Sequence, residues 1–346
     1  MSETLLEVRN EIDKIDKQLL PLFLERMKCS EDVVRIKMRE NLPILNKKRE
    51  EEIIEEVAEK SGDMAEYAKV FFSNLMAISK VRQQDLLTKS TEIDDILENS
   101  LKDFPENPSV LCQGTKGAYS HKAANIIFPN ANISFQKSFE DVFKGIENNE
   151  ADFAVLPVEN SSAGSVSDVY SLIMKYKFFI VSAVKLRVKH CVASHCDDFD
   201  TVISHPQALM QCSNYISQNN LVQKEYANTA LAAEYVSQNK DKKIAAICSE
   251  DAAKKYGLKI IETNIQNDKN NNTRFAVISK TPIFVDEADK VSLCLSLENK
   301  AGSLYKMLER FALSGLNLSK IESRNISGTN FEYDFYLDFS GSIRDK

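Results

Sequence analysis

No apolar run in this 346-residue chain extends beyond a few residues. Crossing a bilayer takes about 20, so membrane-spanning helices are not expected. An excess of positive charge is missing too: 44 Lys and Arg stand against 51 Asp and Glu, a formal net charge of -7. Nucleic-acid binding needs clustered cations facing phosphates, so no nucleic-acid partner is expected. The start, Met1-Ser2-Glu3-Thr4, has neither the basic stretch nor the apolar stretch of a secretory signal. The seven cysteines, an odd number scattered from Cys29 to Cys294, read as reduced thiols of a cytoplasmic protein. What remains is ordinary globular composition, 43% hydrophobic and 27% charged, with length for two or three domains at ~150 residues each.

Glycine is nearly missing from the first 87 residues, where Gly62 stands alone. That stretch reads as helix almost throughout. Apolar residues recur as Leu5, Val8, Ile12, Ile15, Leu19, Leu22, then Cys29, Val33 and Ile36, a 3-4 spacing that marks a heptad seam. A helix over about 3–40 would be ~55 Å long, longer than a small domain is wide, so a second subunit is expected to cover it. Pro21 lies inside it, at an expected cost of up to ~3 kcal/mol or a kink. Asn41–Asn46, with Pro43, reads as a loop, and further helices are expected over 47–60 and 63–87.

Polar residues occupy slots that the seams would fill with apolar ones. The slot after Leu22 is Arg26, and Lys37, eleven residues on, returns to nearly the same face. Arg9 points about 100° away and can serve a second pocket only across a dimer. In the third helix the stripe of Phe72, Met76 and Leu86 is interrupted by Ser79 and Gln83, while Lys48-Arg49-Glu50 opens the second helix. A bundle with solvated arginines accounts for this pattern as well as a cationic pocket does.

The polar stretch 89–108 ends in Phe104-Pro105-Glu106-Asn107-Pro108 and reads as a linker after a helical domain at 1–88. Beyond it, short β-like runs (Val110–Cys112, Phe153–Leu156, Phe178–Val181, Lys243–Ile247, Phe275–Ile278) alternate with helices near 118–127, 139–148, 166–175 and 229–238. This predicts an α/β domain over 109–284 with a largely parallel sheet. A β-α-β-β order follows over 289–346.

Four loops at strand ends draw attention: Gly114–Ser120, Pro157–Gly164, Ser204–Gln207 with Gln211 beyond it, and Asn272–Phe275. Each alone reads as a turn or cap. Together, in an α/β chain, they point to one anion-binding cleft. His190-Cys191 and His195-Cys196 match no zinc spacing and read as a strand with a packed thiol, so no metal is expected. His205, before Pro206, reads as positioning a turn.

Leu5–Arg9, Ile12–Asp16 and Glu25-Arg26-Met27, with Lys37, Arg49-Glu50, Ser79 and Gln83-Gln84, resemble the all-helical class of chorismate mutase. The resemblance implies a dimer whose long helices share two sites. Arg9 of one subunit, with Arg26 and Arg49 of the other, would clamp the two carboxylates of chorismate. Lys37 and Gln83 would bond the ether oxygen, Glu50 would hold the ring hydroxyl, and Ser79 would line the pocket. Asn46 stands where the family usually has Asp, which implies weaker ground-state binding.

Gly114–Ser120, Asp152–Gly164, His190-Cys191, Ser204–Gln207 and Thr273-Arg274-Phe275 resemble prephenate dehydratase. That resemblance implies two α/β lobes around prephenate. It makes Thr273 the essential hydroxyl, Asn160 and Gln211 orienting groups, and Arg274 a carboxylate partner. Glu159, Ser161, Ser204, His205 and Phe275 complete the implied contacts.

Leu297–Leu304 and Ile321–Arg324 resemble an ACT domain, an α+β, ferredoxin-like module. Gly302, Ser303, Leu304, Glu322, Ser323 and Arg324 would then line an L-phenylalanine site at a dimer interface. Asn325 replaces a common proline, and the β-α-β-β order stops before a last helix and strand, so a truncated module with a weak phenylalanine response is expected. Taken together, the resemblances imply a bifunctional chorismate mutase–prephenate dehydratase of phenylalanine biosynthesis, without cofactor. A non-catalytic two-lobed regulator, or a dehydratase whose helices only dimerise, are the rival readings.

Overall fold

The computed structural model describes residues 4–40, 46–87, 92–240, 242–326 and 333–343. They fall into two units, one of 1–95 with 289–346 and one of 96–288. No helix among the described residues is long and apolar enough to cross a membrane.

In the first unit, α1 (Leu5–Glu40) runs unbroken through Pro21. Pro21 is exposed, so the Lys17 carbonyl that loses its intrahelical donor can turn to water. Asn46 opens α2 (Lys47–Lys60) by accepting the Arg49 backbone N–H at 3.2 Å, a side-chain cap for an otherwise orphaned donor. Gly62, at φ +54°, lets the chain turn into α3 (Ala65–Leu87). The second half of α1 packs on α3, and only Ser30 and Val34 of α1 are buried. Along the first half, Leu5, Val8, Ile12, Ile15, Leu19 and Leu22 are each 41–68% exposed. The predicted seam is present, and nothing among the described residues covers it there.

The second unit has two lobes. In the first lobe, β1 (Ser109–Gln113), β2 (Asn132–Gln136), β3 (Phe153–Asn160), the short β4 (Gly164–Ser165), β5 (Phe179–Arg187) and the returning strand Asn272–Ser279 form one sheet. In the second, β6 (Cys191–Ser194), β7 (Thr201–Ser204), β8 (Val222–Glu225), β9 (Ile244–Cys248) and β10 (Lys259–Thr263) form another. The returning strand is β11. The chain leaves the first lobe after β5 and comes back before β11. These crossings correct the expected largely parallel sheet. β1 pairs with β2 and β3, and β7 with β8 and β9, in parallel, but β11 runs antiparallel to β3 and β5, and β6 to β9 and β10. Strands that carry the chain out and back must oppose their neighbours, and local sequence pattern does not encode direction.

The lobes have separate cores, one around Val110, Phe128, Phe153 and Phe275, the other around Ile203, Ala232, Val236 and Cys248. Part of the expected linker docks on the first lobe. Leu101 N–H donates to Pro282 O at 3.0 Å, and Phe104 stacks edge-on against Phe128 and Phe153. Near the C-terminus, β12 (Lys290–Leu297), helix Ser303–Leu313, β13 (Leu318–Asn325) and β14 (Tyr333–Ser340) give a three-stranded antiparallel sheet in the order β12-β14-β13. The helix packs on one face through Phe311 against Phe339. The other face is polar: Asp338, 3% exposed, pairs with Lys290 at 3.0 Å and Ser292 at 2.7 Å.

Candidate active sites

In the helical unit the polar seam positions converge in part. Arg26 donates through Nη1 to Ser79 Oγ at 2.6 Å and to Leu75 O at 3.4 Å. Ser79 and Gln83, one turn apart on α3, are buried. Lys80 reaches Glu50 at 3.0 Å, tying α3 to α2, and Arg82 donates twice to Glu31, tying α3 to α1. A charge at a seam position is tolerated only when polar neighbours meet it, which is what Ser79 and the Leu75 carbonyl do. Lys37 is half-buried on the α1 face. Arg9 and Arg49 are exposed, Arg49 beside Glu52 at 3.2 Å. Asn46 spends its side-chain oxygen on the α2 cap, a role that the sequence reading did not give it.

Where β3 and β11 meet the return crossing lies a buried amide cluster. Thr273 on β11 sits opposite Asn160 on β3 in register. Asn160 Nδ2 donates to Thr273 Oγ1 and to Asn271 Oδ1, both at 2.8 Å. Its Oδ1 accepts the backbone N–H of Ser162 at 3.1 Å and of Ala163 at 3.0 Å. Asn160 is thereby locked at both ends, and its donation turns the Thr273 hydroxyl proton away from itself. Asn271 is 1% exposed, and its Nδ2 is buried without a bond. It stands in the run Asn270-Asn271-Asn272 just before Thr273, and that run is the signal that was passed over.

The other predicted residues of this unit take varied places. Arg274 lies between Tyr170 OH at 3.0 Å and Glu159 at 3.4 Å, on the opposite side of β11 from Thr273. Phe275 belongs to the first lobe's core. Ser161 Oγ accepts Asn272 N–H at 2.9 Å. Ser204 is wholly buried and donates to Ile247 O at 2.6 Å. His205 caps helix Pro206–Gln211, its Nδ1 accepting Gln207 N–H at 3.3 Å. Gln211, at the end of that helix, bonds His190 Nε2 through Oε1 at 3.0 Å. Gly114 and Gly117 turn at φ +106° and +98°. The loop between them bonds the second lobe through Ser249 Oγ to Gly117 O at 3.4 Å and Lys255 Nζ to Lys116 O at 2.7 Å.

His190 is the residue that sequence reading undervalued. It is 3% exposed, and burial pushes its imidazole below the usual range, with the Gln211 hydrogen bond opposing in part. Cys191 lies opposite Cys248, and His195 bonds Ser237 O at 3.1 Å. Among the described residues no three His, Cys, Asp or Glu side chains gather to hold a metal ion.

Two family models match the chain: "Chorismate mutase type II" over residues 8–84 and "Prephenate dehydratase" over residues 110–283. The bifunctional chorismate mutase/prephenate dehydratase of Enterobacter agglomerans is 33% identical over 98% of this chain and 89% of its own length. The chloroplastic arogenate dehydratase/prephenate dehydratase 2 of Arabidopsis thaliana is 40% identical over 72% of this chain and 70% of its own. Among solved structures, the prephenate dehydratase of Arthrobacter aurescens, crystallised with L-Phe, superposes with a TM-score of 0.62 at 24% identity, over 68% of this chain and 80% of that one. It has the same two-lobed fold.

The buried His190 makes a pH prediction. Its folded pKa lies below its unfolded value of about 6.5, so the unfolded chain binds the extra proton. Stability from this residue is full above that value and is lost as pH falls through it toward the folded pKa. The melting temperature of the two-lobed unit is expected to drop as pH falls below about 6.5. Calorimetry of the His190→Gln chain should show a shallower drop, and an unchanged slope would place the acid lability elsewhere.

Proposed function

The chain belongs to the bifunctional chorismate mutase/prephenate dehydratases of phenylalanine biosynthesis, and from that premise we propose how its residues divide the work. It rearranges chorismate to prephenate, then decarboxylates and dehydrates prephenate to phenylpyruvate. The observation that carries the division is that the two buried polar sets, around Arg26 and around Thr273, lie in separately folded units. The rival readings, a regulator without catalysis and a dehydratase with merely dimerising helices, fall with the match of both family models.

The mutase step is a concerted rearrangement that needs no nucleophile. Its enzyme must hold the enolpyruvyl arm over the ring and stabilise negative charge as the C–O bond opens. Arg26, fixed against Ser79, would take one carboxylate, and Lys37 and Gln83 would face the ether oxygen. Glu50 and Asn46 would hold the ring hydroxyl, with Arg49 at the rim. Arg9 would come from a second copy, laid along the uncovered seam from Leu5 to Leu22. Six exposed apolar residues in one stripe favour a partner helix of the same kind.

In the dehydratase step, the electrons of the bond to the departing CO₂ fill the ring as the hydroxyl leaves, and that hydroxyl needs a proton. Thr273 would donate it or relay it, because Asn160 occupies one lone pair and frees the hydroxyl hydrogen. Gln211 would orient the substrate directly, and Asn160, its amide engaged at both ends, would do so through the Thr273 hydroxyl that it holds. Glu159, Ser161 and His205 would line its mouth, with Arg274, on the other side of β11, acting on its carboxylates only through its field. Ser204 and Phe275, both enclosed, would shape the cleft from behind.

We assign an ACT-like effector role to the C-terminal sheet and helix. The L-Phe carried by the Arthrobacter aurescens structure supports phenylalanine as its ligand. Gly302, at φ +83°, starts the helix with Ser303 and Leu304, and Ser323 is exposed between Glu322 and Arg324, which bond each other at 2.7 Å.

Arg26→Ala should lower mutase turnover by at least about 100-fold, while dehydratase activity on added prephenate stays near the parent's. Thr273→Ala should do the reverse, so that chorismate supplied to it yields accumulating prephenate. Equal loss of both activities in a folded variant would contradict two independent sites.

Replacing Ile15 with Asp places a charge in the uncovered seam. Sedimentation should show the dimer dissociating, and mutase activity should fall with it. An unchanged sedimentation coefficient would mean that the seam is not a subunit contact.

A further inference from the structure

The first crossing between the lobes, Val188–His190, and the return crossing over 264–271 lie side by side. Both hold His190. Its backbone N–H donates to Gln266 Oε1 at 2.9 Å, and its carbonyl accepts Ile265 N–H at 3.1 Å. Gln211 is held by the same pair of segments, its carbonyl accepting Asn267 N–H at 2.7 Å and its Oε1 meeting His190 Nε2 at 3.0 Å. The mechanism above uses Gln211 and leaves His190 without a task.

Which group donates between His190 and Gln211 can be settled by accounting. His190 Nδ1 is sealed from solvent and has no hydrogen-bond partner. A proton on Nδ1 would be a buried donor with no acceptor, and such orphaned N–H groups are rarer and costlier than an unmet lone pair. The neutral imidazole therefore carries its proton on Nε2 and donates it to Gln211. The amide oxygen of Gln211 is consumed in that bond, and its NH₂ remains with two donors to give. Reversed, Gln211 would offer a carbonyl oxygen, which repels a carboxylate or the departing hydroxyl oxygen.

We propose that His190 is a positioning residue of the dehydratase reaction, whose Nε2–H fixes the amide of Gln211 so that its NH₂ faces the anionic substrate. This rests on the assignment of Gln211 as a substrate-orienting group. His190 itself touches no substrate. It sets the polarity of a side chain that does, from the segment about which the lobes are joined.

The test is steady-state dehydratase kinetics of the full chain on prephenate, with mutase activity and melting temperature measured on the same preparations. His190→Leu is expected to lower kcat/KM by about 10- to 100-fold, as loss of a buried hydrogen-bond donor does. His190→Gln, whose amide nitrogen reaches the place of Nε2, should recover to within about 5-fold of the parent. Gln211→Ala should lose as much as His190→Leu, and the double variant should be no worse than Gln211→Ala alone. Should His190→Leu not fold, His190→Asn, whose amide falls short of Gln211, replaces it. Parent-like kinetics in a variant lacking the donor would overturn the proposal. So would no rescue by His190→Gln, or a double variant that loses the product of the two single effects. If Gln211→Ala itself turns over prephenate at the parent rate, the fault lies in the reading of Gln211, and the role of His190 falls with it.

Discussion

The chain must pass between its two lobes twice, and at Val188, His190, Ile265, Gln266 and Asn271 those passages are buried where water is largely excluded. Each polar group there needs a partner from the protein. Val188 N–H goes to Asn271 O at 2.9 Å, Ile265 N–H to His190 O, and Lys189 gives and takes through the Tyr119 hydroxyl at 2.8 and 2.6 Å. Meeting that demand brings amides and an imidazole together at the crossings. Asn271 joins the return crossing to Asn160, and Asn160 sets the hydroxyl of Thr273. The demand of the fold and the geometry of the site are one network, so a change in any member is felt in both.

The helical unit follows a different rule. Its backbone is satisfied internally by α1, α2 and α3, and its specificity comes from charged side chains set into a seam of apolar ones. Arg26 keeps its place because Ser79 and the Leu75 carbonyl meet it, and Glu50 because Lys80 does. A 36-residue helix gives such a seam more length than α3 can cover. The uncovered half carries Arg9, so the surplus length and the missing cation lie on the same stretch of chain.

Element positions were largely legible in the sequence because periodicity and breakers are local. Lys47–Lys60, Thr229–Gln238 and the strand at Ile244–Cys248 fall within a residue or so of expectation. Strand direction was not legible, since whether β11 runs with or against β3 depends on a passage through the second lobe some 80 residues long. The site was legible where a residue type was improbable in its setting, as with Arg26 in a seam. It was hidden where a residue looked ordinary. His190 at a strand start, Asn271 in an asparagine run and Asn46 before a helix each have a common local explanation, and only long-range contacts distinguish them. Phe275 shows the limit of a motif: it stands in a recognisable triplet, but alternation along β11 points it into the core while Arg274 points away.

Net charge gives no help in binding the anionic substrates of this pathway, because the chain itself carries -7. At physiological salt, charges farther apart than about 8 Å are largely screened, so the overall repulsion is a weak deterrent and the local field decides. In the proposed division of work, Arg26, held between helices, would supply that field in the helical unit. In the dehydratase unit Gln211 and Thr273 would supply neutral donors, which carry no desolvation cost of a full charge. Neutral donors suit the dehydratase cleft especially. It must release a product that keeps one carboxylate of its substrate's two, and a cluster of fixed cations would go on holding that carboxylate after the reaction. Oriented amides would bind through direction more than through charge, and their grip would weaken once the ring hydroxyl and carboxylate had gone.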